Sequence, residues 1–417
     1  MAARSRSRPH RSRPAHGDPD ALRSPGGAAG VNAPISRRLL VAGVGGLTVA
    51  GGIGGIVGLG RAATAAPPSA SDALRVGYLP ITDAAPLLVA HAAGLYDPAA
   101  VSSTKPVLFR SWSSLAEAFV TRKVDVVHLL MPMAVALRYA MRSPVQVLGW
   151  NHTNGSALTV APDIVDLEQL AGAQVAIPAW WSIHNIILQR MLRTHGLRPV
   201  IRTGASRGDK TVELIVMSPS DMVPALANGS IGGYVVADPF NAMAQVRKIG
   251  RIHTFLGDVW RQHACCALLV HQAAIDERPA AVQSLADSVV AAQHHIDLDR
   301  PRAAAELAGG YLPQPKPAIA KALTYDPADF AVSNVDWQPQ RLGFQPFPFA
   351  SFTERLVTEM DNTLVDGDRR FLGRLDPATV HADLVDDRFI RSAIGTRGGA
   401  AALGLPADLT RTEQVTP

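Results

Sequence analysis

The sequence predicts an α/β protein built as two lobes, with a ligand cleft between them and a helical C-terminal extension. Three observations lead there. From residue 74 onward, short apolar or β-branched runs alternate with amphipathic stretches of about ten residues, the pattern of βαβ units and a largely parallel sheet. A second series of the same kind begins at residue 156. Beyond residue 65 the chain runs for about 350 residues, more than one small core accommodates. In open α/β sheets ligands sit beyond the carboxyl ends of strands, where loops and helix N-termini meet. Two such sheets in sequence therefore imply a site between them.

The elements follow in order. The first lobe, 74–153, has strands at 74–79, 107–109, 124–129 and 144–150, with helices at 86–96, 113–123 and 131–141. The second lobe, 154–237, has strands at 156–161, 173–178, 211–217 and 231–236. Its helices are 183–196 and 220–229; Ser220 is the expected N-cap of the latter, Asp221 favours its dipole, and Gly229 suits its C-terminal end. Residues 238–395 carry a helix from 238, a strand at 251–255, a strand or crossover at 263–270, a helical run at 275–297 and further helices. This part is expected to return to the first lobe, and 396–417 is expected to be a tail.

The N-terminus reads as an export signal. Residues 1–38 hold eight arginines, two aspartates and no lysine, and end in ISRR. An uncharged, glycine-rich stretch follows at 39–60, then ATA at 63–65, a small-residue cleavage pattern. Ser36-Arg37-Arg38-Leu39-Leu40 resembles a twin-arginine signal, whose substrates cross the membrane folded. Cleavage would leave the protein in the periplasm or at the cell exterior. Its alternative is an uncleaved anchor, since 22 residues span about 30 Å as a helix; the glycines weaken such a helix. Residues 66–417 hold 31 basic and 33 acidic side chains, a net charge of −2. The basic character of the whole chain thus belongs to the targeting segment and points to no nucleic acid.

Chemical motifs are few. There is no Walker loop and no G-x-S-x-G. The 13 histidines are scattered. Cys265 and Cys266, the only cysteines, exclude a disulfide-stapled scaffold, and their adjacency lacks the two-to-four-residue spacing usual in structural zinc sites. No metal and no cofactor are expected.

Several blocks together carry a family likeness. RVGYLPITDAAPLLVAHAAGLYD (75–97), RSWSSLAEAFVTRKVDVVHLLMPMAVAL (110–137) and MSPSDMVPALANGSIGGYVVADPFNAMA (217–244) follow one another in the right order. They resemble the nitrate-, sulfonate- and bicarbonate-type (taurine-like) substrate-binding proteins of ABC importers, over roughly 74–300, with a family-like tail through LVDDRFIRSAI (384–394). The resemblance implies a type II periplasmic-binding-protein fold that closes on a small solute and delivers it to permease subunits in the membrane.

It also nominates site residues. Trp112, at a helix start after a strand, matches a tryptophan that lines the pocket of nitrate binders. Thr82 and Asp83 lie on the first strand-to-helix loop; an N-cap role for Asp83 is the alternative. Asn154, Gly155 and Ser156 match a crossover segment that presents a polar residue, Ser156 replacing a glutamine. Trp180 and Trp181 precede a helix N-terminus, and His184 resembles a pocket histidine, with packing against Trp181 as its alternative. Asp238 and Asn241 keep the type of an E-P-W-N motif, though Asp238 equally suits a helix cap. Cys266 stands where nitrate binders place a lysine, so a fixed positive charge is missing and nitrate is disfavoured.

The expectation is a non-enzymatic, monomeric solute-binding protein for a small anionic, sulfonate-like or heteroaromatic ligand. Aromatic residues beside a neutral Cys266 suit a larger, partly apolar molecule. An enzyme on the same fold is the alternative, desulfinase-like or pyrimidine-synthase-like, with Cys265 or Cys266 beside His263 as nucleophile.

Overall fold

Val76-Gly77-Tyr78, apolar and without a polar alternation, makes a short strand buried on both faces, β1 (Val76–Tyr78). The computed structural model describes residues 73–330 and 341–416, all inside one compact unit. The expected signal and its apolar stretch lie outside the described residues. No helix among the described residues is long and apolar enough to cross a membrane.

The first series continues with helix α1 (Ala85–Ala92), β2 (Val107–Leu108), α2 (Trp112–Val120), β3 (Val126–Leu130), α3 (Met131–Tyr139) and β4 (Val145–Trp150). The chain then crosses through β5 (Thr153–Asn154) into β6 (Ser156–Val160), β7 (Gln174–Ile177), α4 (Ile183–Thr194), β8 (Arg198–Val200), β9 (Thr211–Val216), α5 (Pro219–Ala227), β10 (Gly233–Ala237), α6 (Phe240–Val246) and β11 (Arg251–Phe255). It recrosses into β12 (Cys266–His271), followed by α7 (Gln272–Glu277), α8 (Pro279–Leu298), α9 (Arg300–Ala308), α10 (Lys316–Leu323) and β13 (Leu342–Gly343). Three helices end the fold: α11 (Ala350–Asp361), α12 (Pro377–Leu384) and α13 (Arg388–Thr396).

Two sheets result. One has the order β2-β1-β3-β12-β4, the other β11-β6-β10-β7-β9-β8; β5 and β13 form a small ribbon at the crossing. Strands β1, β2 and β3 run parallel as expected, but β12 enters antiparallel between β3 and β4. The returning strand thus becomes an inner strand of the first sheet, and all six of its residues are buried.

The boundary expected at 237 is too early. β11 pairs antiparallel with β6 at the edge of the second sheet, so the second lobe runs to Phe255. The seven-residue helix α6 turns the chain back onto the same sheet, and the return begins only at β12. Helix α5 starts one residue earlier than predicted. Pro219 occupies its first position, where a missing N–H costs nothing, and Ser218, not the expected Ser220, stands at the N-cap position, without a side-chain capping bond. The helical run at 275–297 divides at Arg278, before Pro279.

The C-terminal helices pack on the first sheet and its helices: α13 lies on α8 and β4, and α11 on α3. The same segment also touches the second lobe. The Gln189 side chain of α4 donates to Leu364 O (2.7 Å) and accepts from Leu364 N (2.9 Å). The expected tail is also tied down, Thr416 N donating to Val259 O (2.8 Å) and Trp260 Nε1 to Glu413 Oε2 (2.7 Å).

Candidate functional site: a buried Asp-His-Cys cluster at the lobe crossings

The two crossings and the loop after β1 meet at one point. After β1 the chain makes a 3-10 turn over Thr82–Ala84, which carries Asp83 inward with no solvent exposure. The first crossing brings His152 to it: Nε2 lies 2.9 Å from Asp83 Oδ2, both side chains fully buried. The turn that follows needs left-handed backbone at Asn154 (φ 60°) and Gly155 (φ 80°). A Cβ at Gly155 would stand 2.7 Å from Leu342 Cδ1 and 3.3 Å from both Asp83 Oδ1 and His152 Nδ1, so glycine is required for conformation and for space.

The second crossing supplies the cysteines. The chain bends at Cys265 before β12 begins at Cys266, and this bend brings two adjacent thiols to the same side. Their sulfurs are 3.8 Å apart. Cys266 Sγ lies 3.6 Å from Asp83 Oδ2, and Cys265 Sγ lies 3.8 Å from His184 Nε2, at the start of α4. Ser182 caps that helix, accepting from Asn185 N, which leaves the His184 ring free to reach Ser156 Oγ (2.9 Å).

Charge is distributed unevenly through this cluster. Burial raises the Asp83 carboxyl to about 6, against the pull of His152. For His152 burial works downward, yet the charge and hydrogen bond of Asp83, with help from Cys265, lift it to about 10. Burial also pushes the Cys265 thiol up, but hydrogen bonding from Cys266 and the charge of His184 hold it well below the usual range. Cys266 goes the other way, raised by burial, by Cys265 and by Asp83. The two thiols are thus pushed in opposite directions, Cys265 down and Cys266 up, and Cys266 Sγ donates toward both Asp83 Oδ2 and Cys265 Sγ.

The polar groups are not fully satisfied. The N–H of Cys266 points at His152 Nε2 (3.3 Å), the same nitrogen that faces Asp83. One nitrogen cannot accept from Cys266 and donate to Asp83 at once. Asp83 Oδ1, His152 Nδ1, His184 Nδ1 and the indole Nε1 atoms of Trp112, Trp180 and Trp181 are buried with no hydrogen-bond partner among the described residues. A buried polar atom left so costs about 1–3 kcal/mol.

Of the residues predicted from sequence, Asp83, Ser156, His184 and Cys266 meet in this cluster, and Gly155 lines it. Asp83 is no helix cap; its carboxylate is spent on His152 and Cys266. Trp112 stands behind it, edge-on to His128 (5.7 Å between centroids), whose Nε2 accepts from Leu79 N. Burial pulls His128 down to about 3, so its ring is neutral. Trp181 packs edge-on against Phe371 (5.6 Å).

Three predicted residues serve elsewhere. The side chain of Asn154 lies against Gly257, where a Cβ would come within 2.5 Å of its Oδ1. Asn241 is tied into the second lobe, accepting from Thr159 Oγ1 (2.8 Å) and donating to Val236 O (2.8 Å). Asp238 Oδ1 accepts from Ala242 N (3.1 Å), the capping alternative, and from Tyr325 Oη (3.1 Å). Its backbone does join the lobes, because Asp238 O accepts from both Thr82 N (2.7 Å) and Thr82 Oγ1 (3.0 Å). His263, offered as partner to a cysteine nucleophile, spends Nδ1 on Trp260 O, and burial pulls it down to about 4.

The residue missed in the sequence is His152. Its signal was position alone, two residues before Asn154 on a crossing already singled out.

Comparison with known proteins places the chain. A profile of the NMT1-like family matches residues 67–310. The nitrate/nitrite binding protein NrtA of Nostoc sp. is 25% identical over 253 residues, 56% of each chain. The chain spans about half the length of the curated relatives it matches. Among solved structures, the periplasmic nitrate-binding protein NrtA from Synechocystis superposes with a TM-score of 0.68 at 17% identity, covering 83% of this chain and 94% of that one. The alkanesulfonate-binding protein SsuA from Xanthomonas axonopodis, solved with MOPS, gives 0.56 at 17%, covering 77% and 99%. At these identities the superpositions establish the fold, that of periplasmic binding proteins. The profile match extends over more than half of the sequence, and the chain belongs to the NMT1-like family.

Proposed function

We propose that the protein is the solute-binding component of an ABC importer, exported by the twin-arginine route and working as a monomer with permease subunits in the membrane. The observation that carries this reading is the convergence of Asp83, Ser156, His184 and Cys266 from both sheets, together with buried polar atoms that have no hydrogen-bond partner among the described residues. Closure of two lobes on a solute is a hinge motion, and the Thr82–Asp238 bonds are of the kind that a closed state makes. The relatives carry the names of binding proteins for nitrate and alkanesulfonate. A neutral thiol where nitrate binders place lysine argues against nitrate here, and for a solute that accepts hydrogen bonds from indole and imidazole N–H groups.

A catalytic reading draws on one observation, the short approach of His184 to a depressed Cys265 thiol. We prefer the receptor, because the relatives are binding proteins and Cys265 is wholly enclosed.

A thermal-shift panel of nitrate, bicarbonate, alkyl- and arylsulfonates and pyrimidines tests the reading. One class should raise Tm in the native protein and fail to do so in His184→Ala. Stabilisation by nitrate alone contradicts the argument from Cys266, and turnover of any stabilising compound contradicts the receptor.

A further inference from the structure

The cluster at the crossings is also a set of metal donors. One donor atom each from Asp83, His152, Cys265 and Cys266 lies within 4.8 Å of every other, and all four residues are fully buried. We propose that these four residues form a binding site for a thiophilic divalent cation of the zinc class.

The spacing carries the proposal. Zinc bonds of about 2.3 Å to sulfur and 2.0–2.2 Å to nitrogen or oxygen put tetrahedral donors roughly 3.3–3.8 Å apart. The two sulfurs are 3.8 Å apart, and Cys266 Sγ is 3.6 Å from Asp83 Oδ2. Those pairs already stand at ligand spacing. His152 Nε2 and Asp83 Oδ2, at 2.9 Å, sit closer because they share a proton, and they need to open by less than half an ångström. Donors this close can surround a single ion.

The donor types select the ion. Two sulfurs, one imidazole and one carboxylate suit a borderline or soft cation, whereas magnesium and calcium take oxygen ligands. The adjacency that speaks against zinc in the sequence is overcome by the bend at Cys265, and the remaining two ligands come from β1's loop and the first crossing. A cation here takes the place of the proton between His152 Nε2 and Asp83 Oδ2, so both atoms become ligands instead of hydrogen-bond partners. Each lobe crossing contributes ligands, so the ion would pin the hinge. The proposal rests on the donor set alone and stands whether or not the protein serves an importer.

The full chain, reduced and stripped with a chelator, is titrated with Zn²⁺ against a chromophoric chelator, and with Co²⁺ in parallel. One zinc per chain is expected, with a thiolate-to-cobalt charge-transfer band and the visible bands of tetrahedral cobalt. Cys265→Ser, Cys266→Ser and His152→Gln should each weaken zinc by roughly 100-fold or more, above the 10- to 100-fold cost of losing a residue that only supports a ligand. Circular dichroism of the metal-free variants checks their folding. Zinc affinity unchanged when Cys265→Ser and Cys266→Ser are combined in one chain would overturn the proposal. So would a folded native protein that gives no charge-transfer band with cobalt, a result that needs no variant.

Discussion

Asp83 Oδ2 lies 2.9 Å from His152 Nε2, and neither side chain reaches solvent. The pair joins the first βα loop to the first crossing, so it holds together the two ends of the cleft wall. Removing one partner of a buried pair strands the other and costs about 3–5 kcal/mol. A double-mutant cycle with Asp83→Asn and His152→Gln in metal-free protein should therefore be strongly non-additive, with a coupling above about 1 kcal/mol. Additive losses in chemical denaturation would show that the contact does not bind the crossings.

Gly155 is the second fixed point. Alanine there must adopt φ near 80° and meet Leu342 Cδ1 at 2.7 Å. Gly155→Ala should lower stability by more than about 1 kcal/mol, beyond the entropic gain such a change brings elsewhere. An unchanged Tm would mean that the turn relaxes.

The strap from the C-terminal segment predicts a local effect. Gln189→Ala removes both hydrogen bonds to Leu364, for a loss of about 1–3 kcal/mol. Hydrogen exchange at the Leu364 amide should rise well above that of the α11 core. Equal protection in both proteins would place the restraint elsewhere.

Asp238 gives a pH signature. Burial raises its carboxyl to about 7, well above its unfolded value of 3.8. A group raised in the folded state lends stability that is full below the unfolded value and is lost as pH climbs through the folded one. Asp238→Asn removes that loss, so its Tm relative to the native protein should rise between pH 4 and pH 7. A difference that stays flat across this window contradicts a raised Asp238.

The pattern of strands and helices in both lobes was legible because it depends on local periodicity. Residues 76–78, 126–130 and 233–237 are largely apolar runs of strand length, and each becomes a buried inner strand. The antiparallel entry of β12 was not legible, because no local pattern records where a returning strand will dock. The same holds at the site. Asp83, His184 and Cys266 were nominated from loop positions and family blocks, while His152 joins them only through the left-handed turn at Asn154-Gly155. Asn241 looked equally polar and equally placed, but the strand β6 beside it supplies Thr159, which consumes its side chain.

The central claim is that the two lobes enclose a small solute at this cluster. Native mass spectrometry of the protein recovered from the exported fraction tests it most directly. The account predicts a retained small molecule that is released on denaturation and is absent from His184→Ala. A bare polypeptide mass from folded protein, with no compound of the solute panel restoring an adduct, would contradict it.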